Sequence, residues 1–281
     1  QGRPFGVKNA DRVPIIEHED IRRMLLDMKA HTEGLRAMIY KGYYLLDLAD
    51  ALEDKEQARK YKAMAEVFTP LVKCYATEAA LPLIAEAMQV FGGVGYTQDY
   101  PIEQYMRDSK ILTIWEGTSY IQSQDLVTRK MRMAEGAVFA AWMGMIKDFI
   151  DKNKNYEGFA REFANLTRGY ESVEKVKKAY DSWYADFEAK KGFIAANAVK
   201  TLFVCAQVLV AECLMEQALL AAEKMKSMPT DYYDYPFYKG KVASARYYAN
   251  QVLPNAFILA DIIASEDPSV LECGEEELMV Y

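Results

Sequence analysis

The stretch FIAANAVKTLFVCAQVLVAECLMEQALLAA, Phe193 to Ala222, constrains this chain more than any other segment. A run this apolar must be covered by something. Charges at Lys200, Glu212 and Glu216 interrupt it, so it lacks the uninterrupted apolar span of about 20 residues that crosses a bilayer. It is read as the core helix of an all-α fold, and no membrane span is expected.

The rest of the sequence supplies helices to surround it. From Asp20 to Ala49, Ile21, Met24, Leu25, Met28, Leu35, Met38, Ile39, Leu45, Leu46 and Leu48 recur mostly at helical spacing, as in near-antiparallel bundle packing. A second helical pattern runs from about Lys55 to Met88, with Pro70 and Pro82 inside it, where proline is expected to kink or divide a helix. It stops at FGGVGYTQDYP, where Gly92, Gly93 and Gly95 permit a tight connection. Asp99 and Pro101 then read as the N-cap region and first-turn proline of a short helix through Arg107 and Lys110. The β-branched run ILTIW is expected to be extended, and Ser119 with Gln122 reads as a capping box for a helix carrying Ile121, Leu126 and Val127. Beyond Ala134 four more helical patterns follow: 138–150, 156–189, 193–225 and 239–264. The expectation is therefore an antiparallel helical bundle over residues 1–133, a second helical bundle over 134–281, and an acidic surface tail ending in ECGEEELMVY.

Composition matters mainly for what it excludes. With 41 acidic against 34 basic residues and a net charge of -7, nothing draws the chain to a phosphate backbone, so nucleic acid is not an expected partner. Cys74, Cys205, Cys213 and Cys273 show no CxxC spacing, and His18 and His31 are the only histidines, so no metal site is expected. Few cysteines fit a reducing compartment, and the cytoplasm is expected. The chain starts at Gln1 without a secretory leader and is expected to be a piece of a longer polypeptide.

Three features could carry chemistry, and each has an ordinary alternative. The glycine turn can simply end a helix. The acids around His18 suit the positive end of a helix. Glu116, between Trp115 and Gly117, can be a solvated acid near a helix start. Together they say more. A glycine turn behind Gln89, the Arg107-Asp108 pair, and a carboxylate between an aromatic ring and glycine at a helix N-terminus would gather backbone donors and a base. That set suits proton abstraction beside a carbonyl, where fixed donors hold the developing oxyanion.

The segment AMQVFGGVGYTQDYPIEQYMRDSKILTIWEGTSYIQ, 87–122, closely resembles the C-terminal helical domain signature of flavin-dependent acyl-CoA dehydrogenases. QGRPFG and the helix that follows resemble the start of that domain, and the later helices are similar to the C-terminal extension of the larger subgroup, which includes dehydrogenases resembling those acting on 3-methylmercaptopropionyl-CoA. The resemblance implies that Glu116 is the base removing the α-proton of an acyl-CoA, with FAD as hydride acceptor. It implies that the Glu116 N–H helps bind the thioester oxygen, that burial raises the Glu116 pKa, and that Gly117 leaves room for substrate. It places Gln89, Gly92 and Gly93 against the adenosine diphosphate part of FAD, Arg3 on its pyrophosphate, Phe5 at the flavin, and Thr118 and Tyr120 near the adenosine end. Tyr120 stands where a smaller residue or glutamine is often found, and Trp115 replaces a common tyrosine. An electron-transfer flavoprotein and a homo-oligomer are the implied partners. The family's other domains would precede Gln1, so the chain alone is expected to hold FAD weakly and turn over little. The competing expectation is a non-catalytic helical assembly or binding module of the same descent.

Overall fold

The computed structural model describes residues 2–279, and among them there is no β-strand. Gln1, Val280 and Tyr281, which the expected N-terminal segment and tail include, lie outside the described residues. The chain opens with a loop closed by the Val13 N–H on the Gly2 carbonyl at 3.1 Å. Helix α1 follows (Glu19–Ala51), then α2 (Lys55–Phe91), α3 (Ile102–Lys110), α4 (Ser119–Gln124), α5 (Ala137–Asn153), α6 (Ala160–Ala185), α7 (Phe187–Lys226), α8 (Tyr235–Tyr247) and α9 (Pro254–Ala264). The acidic tail forms two single turns, Ser269–Glu272 and Glu275–Leu278, and buries none of their residues.

Helix α7 is the axis of the fold. Every residue from Val204 to Met215 is buried, on all sides of the helix, as expected when no face is polar enough to meet water. Helices α1, α2, α6, α8 and α9 pack around it. Residues from Ala30 to Ile263 form one continuous core, shared by both sides of position 133. By length and composition alone α7 and the stretch Lys55–Tyr96 could each cross a membrane, but 67% of the apolar window of α7 is covered inside the chain. That cover fits a core helix.

Several boundaries differ from the sequence expectation. Pro70 and Pro82 do not divide α2, which runs unbroken for 37 residues. Each proline forgoes a hydrogen bond, at about 3 kcal/mol or more. The burial of Val67, Phe68, Leu71, Cys74 and Tyr75, at about 1.5–3 kcal/mol for each large side chain, offsets it. The start of α2 has a cap the sequence reading missed: Asp54 accepts the N–H groups of Glu56 and Gln57 at 2.9 and 3.2 Å. At α1, His18 takes the N-cap position without a side-chain capping bond, so the helix dipole is met by Glu19 and Asp20. Helices α6 and α7 meet at the single residue Asp186, a few residues before the expected break. Tyr184 stacks on Phe187 and Trp183 on Phe193 across that corner. The last expected helix is split: Pro254 has no N–H to continue it, and a π-turn at Tyr248–Val252 lets the Leu253 N–H reach the Tyr248 carbonyl at 2.9 Å.

Two features set how α1 meets α7. A Cβ on Gly34 would lie 2.5 Å from Val210, so only glycine allows this approach. Farther along, the Lys41 ammonium donates to both oxygens of the buried Glu212 at 2.6 and 2.8 Å and to Glu216 at 3.0 Å. Burial pushes the Glu212 carboxyl up against the pull of Lys41. Lys41 is itself desolvated, yet the charges of Glu212 and Glu216 hold its pKa above the ordinary range.

Removing one partner of such a pair leaves a charge stranded in the core. Lys41→Met is expected to lower stability by about 3–5 kcal/mol at neutral pH by urea unfolding. The cost should shrink in acid, where the stranded Glu212 takes up a proton. Nearer the start of α1, burial works against charge on Asp27, but His31 and Tyr247 hold its pKa down. Glu33 is likewise desolvated and held down by Lys29, Ser244 and Lys241. A carboxyl with a lowered folded pKa adds stability that is whole above the unfolded value of about 4 and is lost as pH falls through the folded value. Unfolding midpoints should therefore drop below about pH 4, and Asp27→Asn should flatten that drop.

A strained carboxylate loop pinned to α2

After α3 the backbone makes one 3₁₀ turn, Ile111–Thr113, and Ile114 stays in the right-handed region. The run expected to be extended is therefore helical and then looped. No strand exists among the described residues to pair with it, and the chain must turn at once to keep α3 and α4 against α2. The Trp115 N–H closes the turn on the Ile111 carbonyl at 3.1 Å. Glu116 (φ +53°) and Gly117 (φ +91°) then follow each other in the left-handed region. For glycine this is easy. For glutamate it costs about 1–2 kcal/mol, because Cβ crowds the next carbonyl.

The capping here differs from the expected box. Thr118 is the N-cap of α4, and its hydroxyl accepts the Ile121 N–H at 3.2 Å. Ser119 is one residue inside, and its hydroxyl donates to the Glu78 carboxylate on α2, a stronger acceptor than the helix offers. Gln122 turns its amide back to the Glu116 carbonyl at 3.3 Å. A Cβ on Gly117 would lie 2.6 Å from that amide, the far end of a side chain that can move aside, so it is φ that favours glycine here.

The loop is also tied down from α2. The Lys73 ammonium donates to the Leu112 carbonyl at 2.8 Å and to the Gly117 carbonyl at 2.6 Å. The Cys74 thiol lies 3.8 Å from the Ser119 carbonyl, and burial pushes its pKa up to about 12, so it stays a thiol. Lys73 and Glu78 were missed by the sequence reading. Their signal was faint: two charged side chains within the most apolar part of α2.

Glu116 itself is exposed, and neither its carboxylate nor its N–H has a partner among the described residues. Trp115, Ile114, Tyr120 and Ile121 around it are each about half exposed. Burial of Glu116, which the resemblance implies, is not a feature of this chain by itself; the loop presents an unpaired acid on an uncovered apolar surface. Arg107 is engaged with Glu103 at 3.1 Å, and Asp108 accepts from Gln104, so this pair does not bond to the loop.

The glycine turn is a separate place. Gln89, Gly92 and Gly93 lie at the C-terminal end of α2 and are exposed. Sixteen residues separate Lys73 from Gln89, about 24 Å along the helix. Gly92 (φ +66°) starts the turn, and Gly95 is crowded by the Met88 carbonyl and Phe91 Cβ, both 2.7 Å from where its Cβ would be. Gly93 is different: its φ is ordinary and nothing lies within 4 Å of a Cβ there. Nothing inside the chain explains why it lacks a side chain. Arg3 and Phe5 sit in the N-terminal loop; Arg3 is exposed without a carboxylate partner among the described residues, and Phe5 is 94% exposed. An open glycine, a free guanidinium and an uncovered aromatic ring fit a flavin nucleotide, whose diphosphate and rings need those groups.

Comparison with known proteins agrees along the chain. Residues 6–131 match the family model described as acyl-CoA dehydrogenase, C-terminal domain, and residues 142–273 match one described as acetyl-CoA dehydrogenase C-terminal like. The chain is 36% identical over 267 residues to a butyryl-CoA dehydrogenase of Syntrophomonas wolfei subsp. wolfei, covering 95% of this chain and 43% of that protein. It is 32% identical over 265 residues to 3-methylmercaptopropionyl-CoA dehydrogenase of Ruegeria pomeroyi, covering 90% of this chain and 42% of that protein. The chain thus spans less than half the length of these curated relatives. A crystal structure of an acyl-CoA dehydrogenase complexed with FAD from Bacillus anthracis shares the fold, with a TM-score of 0.65 at 19% identity over 95% of this chain and 45% of that one.

Gly93 and Gly95 differ in what packing demands of them. Gly95→Ala is expected to destabilise by about 1–3 kcal/mol, because a methyl must displace backbone. Gly93→Ala should stay within about 0.5 kcal/mol of the parent. Urea or thermal unfolding of the two variants checks both.

Proposed function

The chain belongs to the acyl-CoA dehydrogenase family, and from that premise we propose that it is the C-terminal portion of a flavin-dependent enzyme that desaturates the α,β-bond of an acyl-CoA thioester. The observation that carries this reading is Glu116, an unpaired carboxylate held on left-handed backbone with its own N–H free beside it. An acid in that state offers a base and an oxyanion donor from one residue.

Bound FAD supplies the hydride acceptor for the β-hydrogen. The protein's part is to take the α-proton onto the Glu116 carboxylate and to hold the thioester oxygen with the Glu116 N–H, so that enolate-like charge is stabilised as it forms. Loss of the α-proton and the β-hydride leaves a trans-2-enoyl thioester. Gly117 keeps the substrate side of the carboxylate clear. Covering the apolar ring of Trp115, Ile114 and Tyr120 would exclude water and raise the carboxyl pKa towards that of a useful base.

Arg3 and Phe5 would meet the pyrophosphate and the flavin, Gln89, Gly92 and Gly93 the adenosine diphosphate part, and Thr118 and Tyr120 the adenosine end. With Gln89 about 24 Å along α2 from Lys73, which bonds to the loop carrying Glu116, the two groups of residues suit flavins held between copies, which favours a homo-oligomer. An electron-transfer flavoprotein is the proposed electron acceptor. By itself the chain is proposed to retain FAD weakly, since its candidate contacts are exposed on one side.

In the FAD-containing protein that carries this chain, Glu116→Gln should leave flavin content unchanged and slow acyl-CoA-dependent flavin bleaching by about 10²–10⁴-fold. An unchanged rate would instead mark the bundle as an assembly or binding module. Gly93→Ala should lower flavin content at equal stability.

A further inference from the structure

Lys73 is placed unusually for a charged side chain. It is half-buried on α2, pairs with no carboxylate among the described residues, and directs its ammonium at two neutral carbonyls. Those carbonyls, on Leu112 in the 3₁₀ turn and on Gly117 just before α4, lie on either side of Glu116 in the chain. An ammonium has three donors and no acceptor, so it can join two carbonyls but cannot join two donors. Its charge-assisted bonds of 2.8 and 2.6 Å join the loop to α2 on both sides of Glu116, whereas the Ser119 hydroxyl on the Glu78 carboxylate ties only the far end.

The consequence follows from the backbone. Glu116 at φ +53° would relax to right-handed or extended geometry if its loop were free. Relaxation would change where both its N–H and its carboxylate point. The Gln122 amide at 3.3 Å on the Glu116 carbonyl is a longer, neutral bond, and Thr118 fixes only the start of α4. Lys73 alone spans the strained residues and ties them to a helix embedded in the core.

Resting on the reading of Glu116 as the base, we propose that Lys73 is a positioning residue: its two carbonyl bonds hold Glu116 in the left-handed conformation that aims the N–H and the carboxylate at the same substrate. It does not touch substrate. Its role is to keep the base ready before substrate arrives, so that no binding energy goes into ordering the loop.

Hydrogen exchange gives a readout that needs no turnover. In Lys73→Met, amides 112–119 should exchange at least about 10-fold faster while those of α7 are unchanged, as for local opening. In the FAD-containing protein the same variant should slow flavin bleaching by about 10–100-fold, with flavin content and KM near the parent's. An α-deuterated acyl-CoA should show a larger isotope effect than in the parent, because proton abstraction becomes slower relative to other steps. Lys73→Arg, which keeps charge and can bridge two carbonyls, should recover most of the rate. Should Lys73→Met fail to fold, Lys73→Gln, with one neutral amide, reads the same quantities.

Parent-like exchange or parent-like bleaching in Lys73→Met, alongside an inactive Glu116→Gln, overturns the clamp and leaves the base intact. An active Glu116→Gln removes the base, and the clamp's catalytic role with it. Faster exchange throughout α7, with no recovery in Lys73→Arg, would make Lys73 a packing residue and overturn the proposal.

Discussion

The fold depends on covering α7. A helix whose residues from Val204 to Met215 are all buried cannot face water on any side, so other helices are drawn around it. Dispersion and burial set that arrangement but not its register. Register comes from the few polar groups carried into the core, above all Lys41 on Glu212 and the buried hydroxyl pair of Tyr75 and Tyr248 at 2.8 Å. Such groups are costly unless matched, and a slipped helix would strand them.

A second helix converts that rigidity into a site. One side of α2 packs Val67, Phe68, Leu71 and Tyr75 into the core, and this keeps the helix unbroken through two prolines. From the middle of the same helix Lys73, Cys74 and Glu78 reach the loop that carries Glu116. Strain on one glutamate is therefore offset by contacts to an element that cannot move easily. The other end of α2 carries the open glycine turn, so one rigid rod sets the distance between the two candidate surfaces.

Exposure is the counterpart of this rigidity. Glu116 and the aromatic and aliphatic residues near it are ordered but uncovered. A carboxylate in water is a weak base, and the same carboxylate under an apolar cover is a stronger one. The proposed chemistry thus depends on what is laid over this surface, while the geometry of the base is already present in the chain.

Much of this was legible in the sequence. The all-α class, the core role of 193–222, and α1 nearly to its ends followed from periodicity, because burial of an apolar face is a local pattern. Glu116 and the glycines stood out because an isolated acid beside glycine, and glycines after an apolar helix, break the pattern around them. Proline punctuation misled at Pro70 and Pro82, where tertiary burial outweighed a local cost, and Pro254 was overlooked where nothing offset it. The bonds that pin the loop could not be read. Lys73 meets Gly117 across 44 positions and Lys41 meets Glu212 across 171, and no local spacing encodes either. The chain by itself determined which residues must be buried and which break the helical pattern; only packing decided which charge meets which carbonyl, because that depends on how two helices lie side by side.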